Sequence, residues 1–128
     1  MRGRLKVFFD GGCRPNPGRI EVAVVARGAT WFFDDLGCGT SSDAEWTALR
    51  MALQVAHSLG EADFELIGDC ANVIDQANGL SKCRSEAALA HHARFRDAAA
   101  SGQPKRVRWT RRNQNLAGIA LARRRAIF

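Results

Sequence analysis

An apolar run that ends in an aspartate, followed by a glycine-rich turn, most constrains the fold of this chain. Residues 4–10 predict a β-strand, and residues 11–18 predict a turn rich in glycine and proline. Asp10 is therefore expected at a strand end, beside a loop. Two further acids have similar placements, since Glu45 lies at the start of a predicted helix and Asp69 follows a short apolar run. We expect these three carboxylates to meet at one edge of a sheet.

The order of the remaining elements predicts an α/β fold in one domain, residues 1–128. The first three strands follow one another and favour antiparallel pairing, with a hairpin turn at Gly28-Ala29. The later strands alternate with helices, which favours parallel pairing in the same sheet. We expect a five-stranded mixed sheet flanked by helices, with Ser41, Ser42 or Asp43 capping the longest helix. Strands are predicted at residues 4–10, 20–27, 30–38, 63–68 and 106–110, and helices at 43–58, 71–76, 85–100 and 115–125.

The charge of the chain is positive and unevenly distributed. The formal net charge is +6, and no acidic residue follows Asp97. The basic residues beyond it are Lys105, Arg106, Arg108, Arg111, Arg112, Arg123, Arg124 and Arg125. A block of one sign suits a polyanion such as nucleic acid. The alternative is a basic face that is merely solvated.

Other residue types place limits on where the protein acts. No run of about 18 apolar residues is present to span a membrane, and the first residues do not resemble a signal peptide. We expect a cytoplasmic protein. The four cysteines lack paired spacing, so reduced thiols packed as small side chains are expected. Trp46 and Trp109 are expected in the core, and the histidines in surface or packing positions.

Three motifs carry the acids in a fixed order along the chain. They are Asp-Gly-Gly-x-x-x-Asn-Pro-Gly at residues 10–18, Thr-x-x-x-Ala-Glu-x-x-Ala-Leu at residues 40–49 and Gly-Asp-x-x-x-Val-Ile at residues 68–74. Together they resemble type 1 ribonuclease H over almost the whole chain. The resemblance implies a ribonuclease H-like fold and a metal-dependent endonuclease that cuts the RNA strand of RNA–DNA hybrids. An RNA–DNA hybrid is the expected partner, and a monomer is the expected state.

The same resemblance assigns the site residues. Asp10, Glu45 and Asp69 fall on catalytic, metal-binding positions. Like charges about 4 Å apart repel by roughly 4 kcal/mol at an effective dielectric of 20, so the cluster itself calls for a cation. Oxygen ligands favour Mg²⁺ or Mn²⁺, and two ions are expected in the active complex. Substrate contacts are expected from Gly11, Gly12, Cys13, Asn16, Thr40, Ser41, Ser42, Arg111 and Arg112, and the terminal arginines are expected to help grip the substrate.

One departure from the family pattern concerns the fourth metal ligand. Family members end with Asn-x-x-Ala-Asp-x-Leu-Ala, and residues 115–122 match this frame with Ile119 in place of the aspartate. No realignment restores an acid there, because none follows Asp97. We favour a neutral oxygen ligand from Asn113 or Asn115 over an empty position. Reduced activity and a preference for Mn²⁺ over Mg²⁺ are expected.

Two other functions fit parts of the same pattern. A nucleic-acid binding module that keeps the fold without cleavage would account for Ile119. A junction resolvase or an exonuclease on the same scaffold is a third reading, since fold alone does not decide function. The turn at residues 10–18 argues against this third reading.

Overall fold

The chain forms one mixed sheet with helices on both faces, and the computed structural model describes residues 3–127. The strands are β1 Leu5–Cys13, β2 Gly18–Ala26, β3 Ala29–Phe33, β4 Cys38–Gly39, β5 Phe64–Gly68 and β6 Arg106–Trp109. The helices are α1 Ser41–Ser58, α2 Ala71–Ala77, α3 Glu86–Ala99 and α4 Leu116–Ile127, and a 3₁₀ turn spans Arg112–Gln114.

The sheet topology confirms the predicted mixture of antiparallel and parallel pairing. The strand order is β3-β2-β1-β5-β6, in which β1, β2 and β3 pair antiparallel. The β1–β5 and β5–β6 pairs are parallel. The two-residue strand β4, which was not predicted, pairs with the start of β2 outside this path. The parallel pairing of β1 with β5 ends at Phe8 and Ile67, although β1 itself continues to Cys13.

The hairpin and the third strand differ from the prediction at their ends. The hairpin turn lies at Arg27 and Gly28, one residue earlier than predicted, and both residues have positive φ of 52° and 74°. Two such residues match the twist of a tight hairpin. Strand β3 ends at Phe33 instead of continuing to residue 38. Asp35, with φ of 56°, breaks the extended backbone soon afterwards.

Helix α1 begins with a capping box that the sequence pattern placed one to three residues too late. Thr40 is the N-cap, and its hydroxyl accepts a hydrogen bond from the backbone N–H of Asp43 at 3.2 Å. The Asp43 carboxylate in turn accepts from the Thr40 backbone N–H at 2.9 Å. This reciprocal pair satisfies two free amides of the first turn. It fixes the start of the helix that carries Glu45.

The core has two parts, one on each face of the sheet. Alternate residues of β1, such as Val7 and Phe9, pack with α1, α2 and α3 in the larger cluster. Phe8 points to the opposite face, where α4 packs through Ala117 and Leu121. Because side chains alternate along a strand, Asp10 is expected on the α4 face with Phe8. Helix α4 thus covers the face on which the first acid lies.

The tryptophans divide between the core and the surface. Trp46 is completely buried, as predicted, and its ring stacks on His91 at 6.1 Å between centroids. The prediction for Trp109 is wrong, because this residue is 50% exposed on the edge strand β6. Its indole N–H donates to the Asp69 carbonyl oxygen at 3.1 Å.

Within residues 3–127, no helix combines the length and the apolar character needed to cross a membrane.

Candidate active site

The three predicted carboxylates meet at one edge of the sheet. Asp10 lies inside β1 and not at its end as predicted, because β1 continues to Cys13 in its pairing with β2. It lies two residues beyond the last β1–β5 pair, Phe8 with Ile67, and Asp69 directly follows β5. Glu45 comes from the first turns of α1. One oxygen from each acid lies within 4.8 Å of the others. The end of the parallel β1–β5 pairing and a helix start therefore bring together acids that are far apart in the sequence.

A close approach between β1 and α1 positions Glu45. A Cβ at Gly11 would lie 2.2 Å from the Ala44 carbonyl oxygen, so only glycine allows the helix this near to the strand. The Gly11 backbone N–H then donates to Glu45 Oε1 at 3.0 Å. The other oxygen, Oε2, is buried without a hydrogen-bond partner among the described residues. The bond to Oε1 thus orients the Glu45 carboxylate, and Oε2 is the oxygen that remains without a partner.

The carboxylates are unfavourable as a group of free charges. Burial, followed by the nearby Asp69, raises the pKa of Asp10 from 3.8 to about 6. Burial, followed by the charge of Asp10, raises the pKa of Glu45 well above its ordinary value. The positive charges of Arg125 and Arg112 oppose the shift at Asp10. A bound cation would relieve the same repulsion.

The donor set fits a hard divalent cation. All three candidate ligands offer carboxylate oxygens, the type of ligand that Mg²⁺ and Mn²⁺ take. The unpartnered Glu45 Oε2 is an independent sign of fit, since a buried oxygen of this kind needs a donor or a cation. Cys70 also lines the cleft, but burial raises the pKa of its thiol and so disfavours the thiolate.

Asn115 reaches the carboxylates with its nitrogen, not its oxygen. Its side-chain N–H groups donate to the Phe9 carbonyl at 2.9 Å and to Asp69 Oδ2 at 3.0 Å. Its oxygen accepts from the Ala117 backbone N–H at 3.2 Å, at the start of α4. The expectation that Asn115 supplies an oxygen ligand is therefore wrong in this geometry. Asn113 is exposed and lines the same cleft.

Two residues of α4 stand where a fourth acid would act. A Cβ added at Gly118 would lie 3.6 Å from both Asp10 Oδ2 and Asp69 Oδ2. Ile119 is half-buried and lines the cleft. The first turn of α4 therefore presents a glycine, Gly118, and a hydrocarbon side chain, Ile119, to the cleft in place of a fourth oxygen donor.

The predicted substrate residues separate into three groups. Gly11, Ser41, Ser42 and Arg112 line a cleft of about 660 Å³ with the three acids. Cys13, Asn16 and Thr40 are not among the residues that line this cleft. Asn16 Oδ1 accepts from the Ser41 backbone N–H at 3.1 Å and from the Cys13 thiol at 3.5 Å. Thr40 caps α1, so these residues support the helix start beside the cleft. Gly12 packs beneath Arg125, while Arg111 is exposed and is not among the residues that line the cleft.

Several residues of the cleft were not predicted as part of the site. They are Cys70, Asn72, Gly118, Leu121, Ala122 and Arg125. The spacing of α4 contains a signal for Arg125, because it follows Gly118 by seven residues and so lies on the same helix face. The sequence pattern includes Arg125 among the terminal arginines expected to grip the substrate, but it does not distinguish Arg125 from Arg123 and Arg124.

Comparisons with known proteins agree with this geometry. Residues 8–125 match the family model described as reverse transcriptase-like. Ribonuclease HI of Halobacterium salinarum is 37% identical over 86 residues, covering 60% of this chain and 41% of that protein. The crystal structure of RNase H1 from this halophilic archaeon has a TM-score of 0.81 at 29% identity, covering 93% of this chain and 94% of that chain. The chain thus matches less than half the length of the curated relative.

Two more distant structures share the fold. The N-terminal RNase H domain of a Mycobacterium tuberculosis protein has a TM-score of 0.77 at 23% identity and covers 95% of this chain and 97% of that chain. LC11-RNase H1 in complex with an RNA/DNA hybrid has a TM-score of 0.77 at 20% identity and covers 92% and 93%. At these identities the likeness concerns the fold alone.

The sheet order, the helices on both faces and the acidic edge place the chain in the ribonuclease H fold class. By its match over residues 8–125, the chain belongs to the reverse transcriptase-like family.

Proposed function

We propose that this protein hydrolyses the RNA strand of RNA–DNA hybrids, with Mg²⁺ or Mn²⁺ held by Asp10, Glu45 and Asp69. The observation that carries the proposal is the convergence of three carboxylates from three elements within 4.8 Å. The fold class and the similarity to ribonuclease HI support it. A relative with the same fold is known in complex with an RNA/DNA hybrid, which supports the proposed substrate.

The residues around the acids have roles that follow from their positions. When bound, the divalent cation supplies positive charge for the phosphate oxygens and lowers the pKa of the attacking water. Gly11 keeps Glu45 oriented through its backbone N–H. Ser41 and Ser42 place hydroxyls in the cleft, where a ribose 2′-hydroxyl distinguishes RNA from DNA. Arg112 offers a guanidinium to the phosphate backbone.

The test is cleavage of a short hybrid, with the RNA and DNA strands labelled separately. We expect RNA fragments with Mg²⁺ or Mn²⁺, none with a chelator, and none from Asp10→Asn. Asp75→Asn is the matched control, since Asp75 is exposed on α2 outside the cleft. Equal cleavage by both variants, or cutting of the DNA strand, would refute the proposal.

A second candidate function is hybrid binding without cleavage. The observation that favours it is the absence of any acid after Asp97, which leaves Gly118 and Ile119 at the fourth position. Tight binding of the hybrid by the wild-type protein, with no cleavage under either metal, would move the assignment to this candidate. The acids, the cleft and Arg112 belong to one chain, so neither function requires a second copy.

A further inference from the structure

We propose that Arg125 is a phosphate-binding residue of this active site, a fixed cation beside Asp10 in a chain that lacks the fourth carboxylate. The inference rests on the proposed function, because it assigns a contact to the hybrid substrate. Arg125 lies near the end of α4 and lines the cleft together with Asp10 and Gly11. Its side chain is 25% exposed, so the guanidinium is held at the cleft and not free in solvent.

The position of the guanidinium is set by contacts on two sides. Its Nε–H donates to Glu21 Oε2 at 2.9 Å, which ties it to β2. Its Nη2 lies 2.7 Å from the point that a Cβ at Gly12 would occupy, so it packs directly over β1. The absence of a side chain at Gly12 is thus what admits Arg125 to the end of the strand that carries Asp10.

The terminal nitrogens of Arg125 differ in their surroundings. Nη2 is buried and has no hydrogen-bond partner among the described residues. A guanidinium presents several donors in a fixed fork that suits phosphate oxygens. With Glu21 occupying Nε and Nη2 packed over Gly12, Nη1 is left for a ligand. A phosphate oxygen entering the cleft beside Asp10 would accept from Nη1.

The electrostatics agree with a cation close to the acids. The charge of Arg125 lowers the pKa of Asp10, so the guanidinium interacts with the cluster directly. Its neighbour Arg124 does not share this position, since Arg124 pairs with Asp34 at 2.6 Å and lies over the Phe32 ring. Helix α4 therefore directs Arg125 to the cleft and Arg124 to the outer strand.

The experiment compares Arg125→Gln with Arg123→Gln, which removes the same charge from an exposed position of the same helix. We expect Arg125→Gln to lower kcat for hybrid cleavage about 100-fold, the usual effect of losing one oriented donor to a reacting oxygen. Arg123→Gln should stay within about twofold. Arg125→Lys should recover part of kcat, because it keeps the charge but not the fork. Circular dichroism verifies that each variant is folded.

A second readout does not depend on turnover. Hybrid binding is measured in a chelator over a range of salt concentrations. Arg125→Gln should reduce the slope of log K against log salt by about 0.9, the loss of one phosphate contact, whereas Arg125→Lys should keep it. Glu21→Gln keeps the charge of Arg125 but removes the carboxylate that holds its guanidinium. The slope should therefore persist, while kcat should fall by about tenfold because the guanidinium is no longer positioned.

The outcomes separate this inference from the proposed function. If the wild type cleaves hybrids and Arg125→Gln matches Arg123→Gln in kcat and in salt slope, the role of Arg125 is refuted and the proposed function stands. If the wild type binds without cleaving, the salt slopes alone decide whether Arg125 contacts phosphate. If the wild type neither binds nor cleaves hybrids, both proposals fall.

Discussion

Asn115 donates a hydrogen bond from Nδ2 to Asp69 Oδ2 over 3.0 Å. The same nitrogen donates to the Phe9 carbonyl of β1, and the Asn115 oxygen accepts from the Ala117 N–H at the start of α4. The residue is completely buried, so water cannot replace these bonds. A single side chain thus joins β1, the end of β5 and a helix start, and it holds the Asp69 carboxylate beside Asp10.

Replacing Asn115 by alanine should destabilise the fold. Loss of the helix-start contact costs about 1 kcal/mol, and the orphaned Phe9 carbonyl adds about 1–3 kcal/mol. We therefore expect the free energy of unfolding in urea to fall by about 2–4 kcal/mol. Asn113→Ala, at an exposed position, should change it by less than about 0.5 kcal/mol. Equal effects of the two substitutions would contradict the structural role of Asn115.

Adding an acid at position 119 should strengthen metal binding. The Ile119 side chain lines the cleft with Asp10 and Asp69, so Ile119→Asp places a fourth carboxylate there. We expect Mn²⁺ affinity to rise by about tenfold, equivalent to about 1.4 kcal/mol, and the preference for Mn²⁺ over Mg²⁺ to narrow. Titration calorimetry of the free protein measures both affinities.

Ile119→Asn is the control for the added charge, because asparagine has the same shape as aspartate and a neutral oxygen. If Ile119→Asn and Ile119→Asp bind Mn²⁺ equally, then position 119 does not act as a site for a fourth charge. Equal wild-type cleavage rates with saturating Mn²⁺ and Mg²⁺ would also contradict the expected metal preference.

The raised pKa of Asp10 predicts how stability depends on pH without metal. The folded protein keeps this proton up to about pH 6, whereas the unfolded chain loses it near 3.8. Between these values the native state binds more protons, so stability falls as pH rises from about 4 to 6. A shift of this size amounts to about 1–3 kcal/mol. Asp10→Asn removes this loss and should be more stable than the wild type above pH 6.

Urea unfolding at pH 4 and pH 7 measures this difference. Added Mn²⁺ should restore wild-type stability at pH 7, because the cation offsets the repulsion between the carboxylates. It should leave Asp10→Asn less affected, since this variant lacks one ligand. The deciding quantity is the stability of the wild type minus that of Asp10→Asn, measured without metal. If this difference is larger at pH 7 than at pH 4, the pKa of Asp10 is not raised.

The sheet and the meeting of the acids could be predicted because they depend on local patterns. Apolar runs end at Asp10 and Asp69, and parallel strands end at the same edge of a sheet, so their convergence follows from strand order. The motif at residues 40–49 adds the helix that carries Glu45. These features depend on periodicity and on turn residues, which a sequence displays directly.

The contacts across the cleft could not be predicted in the same way. The direction of the Asn115 amide depends on which of its ends meets the Phe9 carbonyl, a contact between residues 106 positions apart. Trp109 is a large aromatic residue of the kind often found in a core. Its strand lies at the edge of the sheet, however, and half of the residue is exposed. The partner of Arg125 is Glu21 on a distant strand. Such pairings depend on three-dimensional packing and leave little local signal.

Gly11 should tolerate no side chain, because the backbone of α1 lies against it. A Cβ at this position would be 2.2 Å from the Ala44 carbonyl oxygen, and a main-chain atom cannot rotate away as a side chain can. We expect Gly11→Ala to destabilise the fold by about 3 kcal/mol, at the upper end of overpacking effects. It should also weaken Mn²⁺ binding, since a displaced α1 withdraws Glu45 from the cluster. Gly3→Ala is the control, because nothing lies within 4 Å of a Cβ there. Thermal unfolding and Mn²⁺ titration test the two effects separately, and a Gly11→Ala protein with wild-type values in both would show that the strand and the helix can separate without loss of the site.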